Sequence, residues 1–266
     1  MTQAERRLYL IRSLLNEKTE YQSLNVPRDA GEQRKLLRSL MNVRMPKVAD
    51  KAFLRVQDEY LQQELADEGI TDLDDLRPVS GDLYLWQGDI TRLKCGAIVN
   101  AANSGMTGCY IPCHACIDNC IHTFAGVQLR QDCAALMAEQ GHEEQTGQAK
   151  ITKAYNLPCD YVLHTVGPIV SGRVTREDER LLASCYRFCL ELAEKNSVRS
   201  IAFCCISTGV FHFPNERAAG IAVETVRRYK VETGSKIKVV FNVFKDLDKT
   251  IYERLLGANC APTARA

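Results

Sequence analysis

The 266-residue sequence predicts an α/β fold, a mostly parallel sheet covered by helices on both faces, with a helical extension ahead of it. Three observations carry that prediction. From about Leu83 onward, short apolar runs alternate with helix-length stretches, the pattern of βα units. Before that point apolar residues recur at helical intervals and no convincing strand occurs. The composition, 45% hydrophobic and 25% charged, is that of a globular protein long enough for one large core, or one core with a smaller appended subdomain.

The elements follow in order. Thr2 and Glu5 have the spacing of a capping box, and Leu8, Ile11, Leu14 and Leu15 then recur as one helical face. A second helix carries Leu36, Leu37, Leu40 and Met41 and ends near Pro46. A third carries Phe53, Val56, Tyr60, Leu61 and Leu65 and stops at Gly69. Their apolar stripes need a surface to cover, so residues 1–80 are expected to pack as an extension on a main domain over 81–258. Residues 259–266 are expected to form a flexible tail. Strands are predicted at LYLW (83–86), AIVNA (97–101), YVLHTV (161–166), IAFCCI (201–206) and KVVFNVF (238–244). Helices are predicted near 119–139, 177–196, 214–231 and 247–256. Sheets of this kind bind ligands outside the carboxyl ends of their strands, so the loops there are the place to look.

A net charge of +1 gives no electrostatic footprint for nucleic acid. An anion remains accessible to backbone N–H groups and helix N-termini. No window approaches the run of apolar residues that a membrane span needs. The opening MTQAERRLYL resembles a charged helix rather than a signal peptide, so a cytoplasmic chain with reduced thiols is expected. Among twelve cysteines, a Cys/His cluster then points to metal more than to disulfides.

That cluster is Gly108-Cys109-Tyr110-Ile111-Pro112-Cys113-His114-Ala115-Cys116-Ile117-Asp118-Asn119-Cys120-Ile121-His122, with four Cys and two His just after a strand. Thiolate and imidazole suit Zn2+, and three protein ligands with an open fourth position describe a catalytic site. On spacing alone several triplets would serve, and a chance group of buried thiols is the plain alternative. A second loop, Ser207-Thr208-Gly209-Val210-Phe211-His212-Phe213-Pro214, follows a buried run. Its backbone is suited to present N–H groups to a pyrophosphate, although an ordinary strand-to-helix turn would look the same. Asp89 fits a ligand amine or a turn cap. Asn100 and Asn103 fit either turn residues or amides that orient sugar hydroxyls.

Together the segments resemble a macrodomain. The matching pieces are QGDIT (87–91), AIVNAANSGM (97–106), DNCIHTFAG (118–126), GQAKITKAYNLPCDYVLHTVGP (147–168), ISTGVFHFP (206–214) and VVFNVFKDLDKTIY (239–252), in family order. The resemblance implies a three-layer α/β/α macrodomain with a mixed, mostly parallel central sheet. The finer likeness is to the zinc-containing bacterial and fungal class with a helical N-terminal extension. Its G-C-x-x-P-x-H-x-C insertion is matched by Gly108, Cys109, Pro112, His114 and Cys116. This likeness selects Cys109, His114 and Cys116 as ligands of one Zn2+ and leaves Cys113, Cys120 and His122 outside. It also implies that Asp89 holds the adenine amino group, with Ile90 giving backbone contacts and Phe244 stacking on the adenine. Ser207, Thr208, Gly209, Val210 and Phe211 would wrap the diphosphate and distal ribose. Asn103 would orient that ribose, supported by Asn100, and Asp118 would lie near the scissile bond. In the commoner hydrolytic class a glycine-rich loop stands where the metal insertion stands here, and Gly usually replaces His212.

The activity so implied is hydrolysis at the anomeric carbon of the distal ribose, a glycosidase-type removal of mono-ADP-ribose from proteins that releases ADP-ribose. Zn2+ would polarise a ribose hydroxyl or water, and Asp118 would position or deprotonate water. A helix cap is the competing role for Asp118. Some class members accompany a sirtuin-type transferase that modifies a lipoyl carrier protein, which makes that protein a partner to test besides ADP-ribose itself. Three other functions compete: a non-catalytic ADP-ribose reader, an O-acetyl-ADP-ribose deacetylase, and an interaction domain with a structural zinc. Remaining candidates have ordinary roles: His142 is expected in solvent, His164 as a satisfied core residue and Trp86 in packing. Cys185 and Cys189 share one helical face.

Overall fold

The computed structural model describes residues 1–257, so the expected tail at 259–266 lies outside the described residues. The chain begins with α1 (Gln3–Leu15), α2 (Ala30–Val43) and α3 (Lys51–Glu68). It continues through β1 (Thr71–Asp72), β2 (Leu83–Gln87), β3 (Leu93–Lys94), β4 (Ala97–Ala102), α4 (Ile117–Ala125) and α5 (Val127–Gln140). Then follow β5 (Ala149–Lys153), β6 (Tyr161–Val166), α6 (Arg176–Lys195), β7 (Ser200–Phe203), α7 (Asn215–Thr233), β8 (Lys238–Val243) and α8 (Asp246–Gly257). Thr2 and Glu5 form the expected capping box, and Gly69 caps the C-terminus of α3 at φ 85°.

Six strands form one sheet in the order β2-β8-β7-β4-β6-β5. Every neighbouring pair is parallel except β5–β6. The central strands are apolar on both faces: Ile98, Val99, Ile201, Ala202, Val239 and Val240 are all fully buried, as a sheet between two helical layers requires. On one side α6, α7 and α8 pack in sequence; α4 and α5 pack together, with α4 against β4. The helices of the extension close a second, smaller cluster around Leu10, Ile11, Leu37 and Phe53, which reaches Val127 at the start of α5.

The differences from expectation have local causes. The helix expected over 119–139 is two helices, because Gly126 adopts φ 99° between Ala125 and Val127. β5 escaped detection because AKITK is a half-buried antiparallel edge strand with a weak apolar pattern. The 1–80 region does contain strand: Thr71–Asp72 pairs with Leu93–Lys94. β7 ends at Phe203 rather than at Ile206, so Cys204 and Cys205 follow the strand instead of lying in it. Among the described residues no helix is long and apolar enough to cross a membrane.

Candidate functional site

The carboxyl ends of the parallel strands share one edge, and the order β2-β8-β7-β4 places the loop segments along it. At ~4.8 Å per strand, three intervals span about 14 Å, a length suited to an extended ligand. At the β2 end, Asp89 caps a single 3-10 turn (Ile90–Arg92). Its Oδ1 accepts from the Thr91 N–H at 2.9 Å and from the Thr91 hydroxyl at 2.7 Å. The cap is thus real, and Oδ2 remains free of that role. The Ile90 side chain is buried, leaving its backbone for any contact. Phe244 stands just past β8, the neighbour of β2, and is 75% exposed. A cleft of about 190 Å³ runs beside Asp89 between the extension and α4, lined by Arg38, Tyr60, Leu61 and Phe124 among others.

Next along the edge comes the loop after β7. Ser207 and His212 both take left-handed backbone conformations, at φ 63° and 57°, while Gly209 does not. The turn is closed by Phe213 N–H donating to Ser207 O at 2.9 Å and His212 N–H donating to Gly209 O at 3.1 Å. Thr208 donates its hydroxyl to Cys205 O at 3.0 Å. Among the described residues the N–H groups of Gly209, Val210 and Phe211 reach no intramolecular acceptor, and Val210 is 63% exposed. Such a concavity of free N–H groups favours an anion. Ser207 Oγ is buried without a partner at its base.

Beyond β4 the polar groups converge on Asp118, in the first turn of α4. Cys116 rather than Asp118 caps that helix, its Sγ accepting from Asn119 N–H at 3.4 Å. Asn100, fully buried, donates to Asp118 Oδ1 at 2.8 Å, and Asn103 donates to Oδ2 at 3.3 Å. Burial pushes the Asp118 carboxyl up to about 6, with the Asn100 hydrogen bond and the Arg130 charge opposing. Asn100 Nδ2 also lies 3.1 Å from His164 Nδ1, so that nitrogen accepts, and the Nε2 proton faces Thr152 Oγ1 at 2.9 Å. His164 is therefore a satisfied core residue that also orients Asn100.

Beside this carboxylate, one ligand atom each from Cys109, His114 and Cys116 lies within 4.8 Å of the others. Cys109 Sγ and His114 Nδ1 are 3.6 Å apart. With Zn–S near 2.3 Å and Zn–N near 2.0 Å, the S···N edge of a tetrahedral site is about 3.5 Å, so the Cys109–His114 pair has that spacing, Cys116 lies within reach, and the donor types fit Zn2+. Cys113 is exposed and Cys120 turns toward Arg38; neither joins the group. His122 is buried against Asp118, its Nε2 3.6 Å from Oδ1. A second set, His122, Cys133 and His164, is equally close-spaced but wholly buried. There burial raises the Cys133 thiol to about 12 and both His164 nitrogens are engaged, which suits an interior polar knot better than a metal.

The sequence did not point to Arg38, Asn42 or Arg130. All three hold the loop of Cys109–Cys116 from outside it, and only the long-range fold brings them there. His142 is exposed and Trp86 half-buried; Cys185 and Cys189 are fully buried on one face of α6.

A family described as Macro domain matches residues 99–222. A protein-ADP-ribose hydrolase of Treponema medium is 62% identical over 261 residues, covering 97% of this chain and 100% of that protein. A protein-ADP-ribose hydrolase of Staphylococcus aureus (strain MSSA476) is 49% identical over 247 residues, 92% of each. The Trypanosoma brucei macrodomain solved in complex with ADP-ribose superimposes with a TM-score of 0.65 at 30% identity, over 87% of this chain and 97% of that one.

Proposed function

This chain belongs to the macrodomain family, and we propose that it is a zinc-dependent protein-ADP-ribose hydrolase that removes mono-ADP-ribose from modified proteins. One observation carries the finer reading. A buried carboxylate held by two amides sits beside a Cys109/His114/Cys116 donor set, at the end of a strand edge whose other end carries Asp89 and Phe244. The ligand would lie along that edge. Its adenine would meet Asp89, the Ile90 backbone and the exposed Phe244 ring. The diphosphate would take the free N–H groups at Gly209, Val210 and Phe211, with Ser207 and Thr208 at their base. The distal ribose would come to rest at Asn103.

Cys109, His114 and Cys116 would hold the metal, which when bound supplies Lewis acidity at the ribose end. Water attacks the anomeric carbon of the distal ribose as the bond from that carbon to the protein side chain breaks. Asp118 orients this water and takes its proton, which returns to the departing side chain; transfer of this kind contributes ~10²–10⁴-fold. Asn100 and Asn103 fix both carboxylate oxygens, so the acceptor lone pairs are aimed before substrate arrives.

The test is release of ADP-ribose from a panel of mono-ADP-ribosylated proteins, a lipoyl carrier protein included, by zinc-loaded and chelator-stripped protein. Release that is lost on stripping and recovered with zinc is the expected result. Equal release by both forms would remove zinc from the reaction. Binding of ADP-ribose without any release would make the protein a reader.

A further inference from the structure

The loop from Asn103 to Cys116 contains no regular secondary structure, yet its ligands must hold one geometry. Its restraints come from two sides, from α4 and α5 at Cys109–Ile111 and from the N-terminal extension at Cys113 and His114. Arg38, on α2, donates through Nη2 to His114 O at 2.8 Å and to Asn119 Oδ1 at 3.0 Å. Asn119 in turn donates to Ile111 O at 2.9 Å. One turn further along α2, Asn42 is 1% exposed and uses both ends of its amide. Its Oδ1 accepts from Cys113 N–H at 2.9 Å and its Nδ2 donates to Thr123 Oγ1 at 2.9 Å. Cys113 stands at φ 53°, a conformation costly for a non-glycine residue unless its surroundings hold it there.

Arg130 of α5 completes the attachment. It donates to the carbonyls of Asn42 at 2.6 Å and Arg44 at 2.7 Å, just past the end of α2, and to Cys109 O at 3.3 Å. Its guanidinium lies 4.3 Å from the Tyr110 ring centroid. The backbone is thus gripped at Cys109, Ile111, Cys113 and His114, two of them proposed ligands. None of these contacts is a metal ligand.

We propose that α2 is the positioning element of the metal site: Arg38 and Asn42 hold the loop in its ligating geometry and so set its zinc affinity. This rests on the zinc reading above. An untethered loop must lose its conformational freedom when it binds metal, whereas a tethered one has lost it on folding. Partners one layer outside a metal's ligands are typically worth ~10–100-fold in affinity.

Zinc alone is the probe, titrated into the stripped full chain against a chromogenic chelator, with circular dichroism and melting as checks of folding. Arg38→Ala and Asn42→Ala are expected to weaken zinc by about 10- to 100-fold while the folded spectrum is kept. Arg38→Lys keeps the charge, but its ammonium ends one bond short of the Nη2 position that serves both acceptors, so it falls between Arg38→Ala and wild type. Lys35→Ala removes a side chain on the same helix that pairs only with the exposed Glu32 and keeps the backbone carbonyl that accepts from Cys113 Sγ, so it leaves zinc affinity unchanged. Cobalt substitution gives a second readout: the thiolate charge-transfer band should broaden or weaken in the Arg38 and Asn42 variants. Should either alanine variant not fold, Arg38→Lys and Asn42→Leu, which keeps the volume and loses the acceptor for Cys113 N–H, decide the matter. Folded Arg38 and Asn42 variants with wild-type zinc affinity would overturn the positioning role alone. A wild-type chain that binds no zinc would overturn the metal reading, and this inference with it.

Discussion

Asp118 is the residue on which chemistry and architecture meet. Two amides and a neighbouring imidazole surround its carboxylate, and it is 5% exposed. Asp118→Asn keeps the shape and loses the carboxylate proposed as proton acceptor. Turnover is expected to fall by ~10²–10⁴-fold, with ADP-ribose affinity and zinc content kept; single-turnover assays and calorimetry measure both. Equal turnover at matched zinc content would reduce Asp118 to a helix-turn residue. The Cys/His cluster was visible in the sequence as a composition, but spacing alone left several triplets open. Only family likeness selected Cys109, His114 and Cys116, which the fold then brings together. Arg38 and Asn42 were invisible for a plain reason. Their partners His114 and Cys113 lie 76 and 71 residues away, and no local pattern encodes a contact at that range.

At the level of elements, the legible parts were those with strong periodicity: the βα alternation, the capping box and the three helices of the extension. The edge strand β5 and the break at Gly126 were not, since neither a half-buried strand nor a single glycine overrides a continuing apolar pattern. A different glycine governs the loop that is proposed to hold the diphosphate. A Cβ on Gly167, after β6, would stand 2.1 Å from Ser207 Oγ and 2.8 Å from Ile206 Cγ2. Gly167→Ala must therefore displace the loop after β7 or β6 itself, at a cost of ~1–3 kcal/mol. Read as binding, this corresponds to a loss of roughly 5- to 160-fold in ADP-ribose affinity, measured by calorimetry beside an unaltered control, Val231→Ala, on the exposed face of α7. Unchanged affinity would mean that the loop does not meet the ligand there.

For the molecule as a whole, the buried polar knot ties stability to pH. Burial lowers His164 to about 3, against ~6.5 in an unfolded chain. Between those values the unfolded state takes up a proton that the native state refuses. This contribution is complete above about pH 6.5 and declines as pH falls toward 3, by at most ~1.4 kcal/mol per unit. His122, with ring centroids 6.0 Å apart, is depressed in the same direction, while Cys133 stays neutral. Urea unfolding of zinc-free protein at pH 7 and pH 5 should therefore show His164→Gln losing about 2 kcal/mol less than wild type over that interval. Parallel losses would show that His164 is already titrated in the folded state. The strand order has a consequence of another kind, for synthesis on the ribosome. β2 pairs within the sheet only with β8, more than 150 residues later in the chain, and the Asp89 and Phe244 ends of the site meet only through that pairing. A nascent chain that has not yet released residues 238–243 holds an unpaired β2 and an open flank on β7. Binding competence thus waits for residues 238–244 to emerge, and until then those two strand edges stand open to wrong partners that a chaperone would have to shield.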